Sequence, residues 1–178
     1  MEGVPHSTGK AAVIKCLSGH RGVDGMFKIR KATVKDAEGV LRLAKELFYD
    51  LGHQMKVDDK RDLLFCRKIL KSGKYVAFLS IGPQDYANGI ITLSEGLSIY
   101  AGGKFGVIRE FYIMPEMRSR GLGKALLEKA KKYGRGRGWR RIEVTPPDKT
   151  KWRRAYRFYA REGFIEIGPR IKFENLIE

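Results

Sequence analysis

Apolar and polar residues alternate through Phe27-Lys28-Ile29-Arg30, and apolar ones then recur every third or fourth position as Ala37, Val40, Leu41, Ala44, Leu47 and Phe48. The first pattern is that of a strand and the second that of a helix with one buried face. Thr33-Val34-Lys35-Asp36 marks the helix start, with Thr33 as N-cap and an acid three residues on, and Gly52 marks its end. A second helix is expected over residues 59–71, burying Leu63, Leu64, Ile69 and Leu70. Residues 75–81 and 89–93 read as strands separated by a Gly82-Pro83 turn, and residues 94–104, which hold three glycines, as a hairpin or loop. Residues 107–114 are rich in β-branched and aromatic side chains and read as another strand. Leu122, Ala125, Leu126, Ala130 and Tyr133 return to helical spacing. Gly134-Arg135-Gly136-Arg137-Gly138 stops that helix ahead of a strand at residues 140–145. Pro146-Pro147-Asp148 opens a last helix, where Trp152, Ala155, Tyr156 and Tyr159 share a face; Gly163 caps it, and residues 164–167 and 171–176 read as closing strands. Residues 1–25, without helical period, read as an N-terminal extension, and residues 26–178 as one domain.

Between the strand at 107–114 and the helix that follows lies a basic glycine loop, Arg118-Ser119-Arg120-Gly121-Leu122-Gly123. Such a unit has a physical use. The first turn of a helix leaves N–H groups without partners, and the positive end of its dipole adds to them, so an anion is favoured there. Glycines let the backbone approach that anion without a Cβ in the way.

Charge sharpens this picture. The chain of 178 residues carries a net charge of +16, and residues 115–164 hold sixteen Lys/Arg against five acids, eleven of those net charges. A field of that size draws polyanions, whether a phosphorylated cofactor or a nucleic acid, and otherwise serves as a solvated surface. The two cysteines, Cys16 and Cys66, and the three histidines, His6, His20 and His53, show no metal-ligand spacing, so no metal is expected. No apolar run approaches the roughly 18 residues of a membrane span, and the apolar piece near the start is too short for a signal peptide. The expected compartment is the cytoplasm, with reduced thiols. The phosphate loop of nucleotide triphosphatases is absent. Gly134-Arg135-Gly136-Arg137-Gly138 precedes a strand, where a dinucleotide fingerprint would have to follow one. That segment is either a helix stop or an RNA-contacting arginine–glycine patch.

Arg118, Gly121 and Gly123 fit the Arg/Gln-x-x-Gly-x-Gly/Ala pattern, and Phe158-Tyr159-Ala160-Arg161-Glu162-Gly163-Phe164 fits a Phe-Tyr-x-x-x-Gly-Phe signature. Together, in this order, they resemble the GNAT superfamily of acetyl-CoA-dependent N-acetyltransferases, over about residues 26–176. The resemblance implies an α/β (α+β) fold: a single domain with a central mixed, mostly antiparallel sheet of about six to seven strands flanked by about four helices. It implies acetyl-CoA as co-substrate, its pyrophosphate on the N–H groups of Ser119, Arg120, Gly121, Leu122, Gly123 and Lys124 after Arg118, and its pantetheine arm along Phe111, Tyr112 and Ile113. At Trp152 the chain departs from the family, which often has an asparagine there.

Acetyl transfer from a thioester to an amine requires a neutral amine and a protonated leaving sulfur. Glu110, just before the Phe111-Tyr112-Ile113 triplet, stands where the family often places a carboxylate base or water-binding acid; the alternative is a strand glutamate paired with an arginine. Tyr159 matches the family tyrosine that hydrogen-bonds the CoA sulfur, the alternative being a core tyrosine. Asp50, Asp58, Asp59 and Asp62 gather at the two-helix region, either to meet a cationic amine or to cap helices. The partner expected is an amine acceptor, a small molecule or a protein amine, with the chain a monomer or homodimer and no membrane involved. A second reading is a basic nucleic-acid- or ribosome-associated protein on the same fold, for which only weak, salt-sensitive binding is expected.

Overall fold

The computed structural model describes residues 27–53, 58–146 and 148–168. Its elements in order are β1 (Lys28–Lys31), α1 (Ala37–Asp50), α2 (Asp59–Lys71), β2 (Tyr75–Ile81), β3 (Ala87–Ser98), β4 (Gly103–Ile113), α3 (Leu122–Gly136), β5 (Ile142–Val144) and α4 (Arg153–Arg161). The strands lie side by side in chain order. β1 to β4 pair antiparallel, and β4 pairs with β5 in parallel. Short turns join β2 to β3 and β3 to β4, α1 and α2 lie between β1 and β2, and α3 is the crossover that lets β5 return in the direction of β4.

Both faces of the sheet are covered, which is why β2 reads as a nearly continuous apolar run. Ala77 and Leu79 face α1 and α2, packing with Val40, Leu43, Cys66 and Tyr112. Val76 and Phe78 face α3, packing with Ile91, Leu93, Leu122, Leu126 and Leu127. Helix α1 is entered through a single 3-10 turn (Val34–Asp36). There the Asp36 carboxylate accepts from the Thr33 N–H at 2.7 Å and hydroxyl at 2.8 Å, and pairs with Arg30 at 2.6 Å. The Arg30 guanidinium holds that carboxyl well below the usual carboxylate range.

Of the two readings of residues 94–104 the hairpin holds: β3 runs to Ser98 and β4 starts at Gly103, so only a four-residue turn separates them. Two expectations change. Leu64 is 65% exposed, and Cys66 takes the buried position of α2. The described residues hold five strands, since residues 164–167 form none; the expected strand at 171–176 and the extension at 1–25 lie outside the described residues, as do Cys16, His6 and His20.

Candidate active site

The middle of β4 is irregular. Ile91 pairs with Phe111 and Leu93 with Ile108, so Arg109 and Glu110 together face Thr92 alone. This is a β-bulge, a device that re-aims a side chain and leaves a backbone group without its ladder partner. Thr92 fills the gap: its hydroxyl accepts the Glu110 N–H at 2.9 Å and donates to Glu110 Oε2. The Tyr75 hydroxyl donates to the same oxygen at 2.5 Å. Burial, and then the Glu110 charge beside it, push the Tyr75 phenol far up, so it remains a donor. Cys66 lies on this side of the sheet, its Sγ 3.4 Å from the Ala37 carbonyl. Burial and the Glu110 charge raise its thiol to about 11, which leaves it unreactive.

Among the described residues the other edge of β4 is open past Ile108: the parallel pairing with β5 begins at Gly106 opposite Ile142 and ends at Ile108 opposite Val144, and no described strand lies beside residues 109–113 there. Phe111 points to the α3 side. Its ring meets Phe158 at 5.6 Å and Tyr159 at 6.3 Å between centroids, and Tyr159 also packs on Phe158 at 5.5 Å and Phe164 at 5.3 Å. Burial pushes the Tyr159 phenol well up, and its hydroxyl has no hydrogen-bond partner among the described residues. Glu110 and Tyr159 thus approach adjacent positions of one strand from opposite faces of the sheet.

The glycine loop follows at once. Gly121 has φ +80°, a left-handed conformation that favours glycine, and α3 starts at the next residue. A Cβ on Gly123 would stand 3.4 Å from the Phe158 ring, an ordinary contact, so the approach of α4 to the start of α3 does not itself require glycine here. The Leu122 side chain is core, whereas Arg120 and Lys124 are exposed. Arg118 does not point to the helix start: its Nε donates to the Ile113 carbonyl at 2.8 Å, and its Nη2 to Asp50 at 2.6 Å, with the guanidinium 5.4 Å from the Tyr112 ring centroid. Instead, Arg154 of α4 reaches the loop, its Nη2 donating to the Ser119 hydroxyl at 2.9 Å. The acidic group at the two-helix region is committed elsewhere. Asp58 caps α2 by accepting the Arg61 N–H at 3.0 Å, Asp59 pairs with Lys45, Asp50 holds Arg118, and Asp62 lies 3.9 Å from Arg61.

The family model described as Acetyltransferase (GNAT) family matches residues 29–164, which spans the whole of this geometry. The chain belongs to the GNAT acetyltransferase family. An uncharacterized N-acetyltransferase of Archaeoglobus fulgidus is 30% identical over 138 residues, 75% of this chain and 90% of that protein. The aminoalkylphosphonate N-acetyltransferase of Salmonella typhimurium is 28% identical over 137 residues, 77% of this chain and 84% of that protein. Among solved structures, a predicted acetyltransferase from Clostridium acetobutylicum, crystallised with acetyl-CoA, superposes with a TM-score of 0.71 at 18% identity, covering 84% of this chain and 96% of that one. The expected α/β fold is therefore that of GNAT proteins, and the chain is an acyltransferase. Among the described residues no group of three or more His, Cys, Asp or Glu is placed to hold a metal, and no helix is long and apolar enough to cross a membrane.

In this GNAT enzyme, β4 and α4 supply the groups sequence reasoning had selected, Glu110, Phe111 and Tyr159. Sequence reasoning missed Tyr75, Thr92 and Arg154. For Thr92 a signal existed: a threonine inside the apolar run Ile90-Ile91-Thr92-Leu93 needs a partner for its hydroxyl.

Proposed function

We propose that this GNAT enzyme moves the acetyl group of acetyl-CoA directly to a primary amine, with Glu110 as proton acceptor and Tyr159 as donor to the leaving sulfur. The observation that carries this reading is the open edge of β4 at residues 109–113, flanked by Glu110 on one face and Tyr159 on the other and running straight into the glycine loop. The site fits acetyl-CoA on three counts. The free edge offers backbone groups of Phe111, Tyr112 and Ile113 to the amides of a pantetheine arm. The start of α3 offers the N–H groups of residues 119–124 to a pyrophosphate, with the dipole favouring its charge. Arg154, Arg120 and Lys124 add cations around it. Arg118 serves by fixing the loop to β4 and α1 rather than by touching phosphate with its side chain.

Acetyl-CoA supplies the activated acyl group. Glu110 takes one proton from the ammonium form of the acceptor, directly or through one water; the freed nitrogen lone pair attacks the carbonyl carbon, the carbon–sulfur bond breaks, and the proton that the nitrogen sheds in becoming an amide reaches the leaving sulfur through solvent. Because burial pushes the Tyr159 phenol up, it acts here as a lasting hydrogen-bond donor to the sulfur. An N-acetyltransferase named for an amine substrate among the relatives supports an amine acceptor. The test is free-CoA release across a panel of amines: a polyamine, an aminoglycoside, an aminoalkylphosphonate, lysine peptides and free peptide N-termini. Turnover on at least one is expected, and none on any, with acetyl-CoA bound, overturns the proposal.

Two variants probe the parts. Tyr159→Phe keeps the aromatic packing and removes the donor. Turnover is expected to fall about 10- to 100-fold, by the same factor from pH 7 to 10, because the buried phenol keeps its proton over that range. A loss that vanishes at high pH counts against a role at the sulfur. Arg154→Ala is expected to weaken acetyl-CoA binding about tenfold by calorimetry, more at low salt than at high, with kcat unchanged. Unaltered affinity removes Arg154 from the phosphate site.

A further inference from the structure

Three adjacent strands converge on one carboxylate oxygen. Thr92 lies opposite Ala77 of β2, and Tyr75, two residues from Ala77, is the diagonal neighbour whose ring spans to β4. Thr92 is fully buried. A hydroxyl has one proton to give. Since Thr92 Oγ1 accepts the Glu110 N–H, its proton goes to Glu110 Oε2, and Tyr75 can only donate to the same carboxylate. Oε2 therefore carries two donors, while Oε1 has no hydrogen-bond partner among the described residues. A valine at position 92 would pack as well but would leave the bulged N–H without an acceptor, and a phenylalanine at 75 would fill the same space. Both hydroxyls reach Glu110, and Thr92 also lies within hydrogen-bonding reach of the Tyr75 hydroxyl.

We infer that Tyr75 and Thr92 are positioning residues that pin Oε2 of Glu110 and so reserve Oε1 as the oxygen that takes the acceptor's proton. The inference rests on the reading of Glu110 as proton acceptor. A glutamate has three rotatable bonds, and holding one oxygen from two directions fixes the plane of the carboxylate, so the free oxygen meets the amine or its bridging water without reorganisation. The bulge gives the arrangement its geometry, because without the extra residue in β4 the Glu110 N–H would pair with a β3 carbonyl and not with the Thr92 hydroxyl.

The experiment compares Tyr75→Phe, Thr92→Val and Thr92→Ser, each in the wild-type and Glu110→Gln backgrounds. The assay is free-CoA release with the best amine of the panel, and melting temperatures confirm folding. Expected are losses of about tenfold in kcat for Tyr75→Phe and Thr92→Val, an unchanged KM for acetyl-CoA, and recovery in Thr92→Ser. In the Glu110→Gln background the same changes are expected to cost nothing further, because a residue that acts through Glu110 has nothing left to act on. Glu110→Gln slowing turnover while both hydroxyl variants run at wild-type kcat overturns this inference and leaves the proposed function standing. So do losses that persist undiminished in the Glu110→Gln background. Wild-type turnover in Glu110→Gln, or no turnover on any amine, overturns both.

Discussion

Gly121→Glu is expected to abolish the thermal stabilisation that acetyl-CoA is expected to give the wild-type chain. Ligand at a hundredfold over its dissociation constant stabilises a fold by about 2.7 kcal/mol, which in a domain of this size raises the melting temperature by roughly 5–10 °C. In the variant a carboxylate stands in front of the N–H groups that the proposal assigns to the pyrophosphate, and like charges at close range in a partly desolvated site exclude the ligand. The fold itself survives. A side chain at φ +80° costs about 1–2 kcal/mol. A negative charge at a helix N-terminus returns about 0.3–1 kcal/mol of that. The remainder is small beside an ordinary domain stability of about 5–15 kcal/mol. Gly121→Ala separates the two effects, since it carries the backbone strain without the charge and is expected to keep most of the ligand shift. A Gly121→Glu protein that melts cooperatively and still gains the wild-type shift places acetyl-CoA elsewhere.

This loop was legible because its physics is local. Strand, glycines and helix follow one another within about thirty residues, and each announces itself by spacing alone. The length of the β3–β4 hairpin was not legible. Gly96 was one of the three glycines that left hairpin and loop undecided, yet it is a packing position inside a strand, where a Cβ would come 2.5 Å from the Phe105 ring opposite it; Gly106 is another, where a Cβ would come 2.2 Å from Trp139. Gly134 likewise gives way to Trp139, at 2.7 Å. Trp139 donates its ring N–H to Glu95 at 2.7 Å, beside Arg137 at 3.1 Å. The glycine–arginine segment is thus a helix end built into the sheet edge, and its composition alone leaves that undecided.

The site divides in the same way. Glu110 and Tyr159 became candidates because each sits in a short motif. Tyr75 and Thr92 were not, since they reach Glu110 from 35 and 18 residues away, and a contact across three strands leaves no trace in local periodicity. Arg118 departs from its expected place for a related reason. Arg118 is in the motif, but Asp50 and the Ile113 carbonyl, both set by tertiary packing, claim its side chain, and Arg154 occupies the exposed position by the loop. Leu64 fails because the apolar face of α2 is narrow: Leu63, Cys66 and Leu70 fill it, and one more residue around the helix turns to solvent.

Glu110→Gln is expected to slow turnover about 10²–10⁴-fold near neutral pH without changing the affinity for acetyl-CoA, with a loss that shrinks as pH rises. The first half follows from shape. Glutamine has the size of glutamate and its carbonyl oxygen can still accept from Tyr75 and Thr92, so the bulge and the open edge of β4 persist, while the groups proposed to hold phosphate lie beyond Ile113. The second half follows from the acceptor. An alkyl ammonium titrates near pH 10, so at pH 7 only about one amine in a thousand or fewer is neutral, and a carboxylate that takes a proton from the bound ammonium frees the lone pair that attack requires. As pH approaches 10 the amine arrives neutral and solvent base becomes abundant, so the advantage of Glu110 falls towards nothing. Tyr159→Phe, acting at the sulfur, keeps its factor over the same range, and the two pH profiles therefore differ in shape as well as size. A Glu110→Gln loss that stays constant from pH 7 to 10 assigns Glu110 to orienting the acceptor instead. Wild-type rates in Glu110→Gln leave the proton to solvent throughout, and the pinned carboxylate at the bulge is then a feature of the sheet alone.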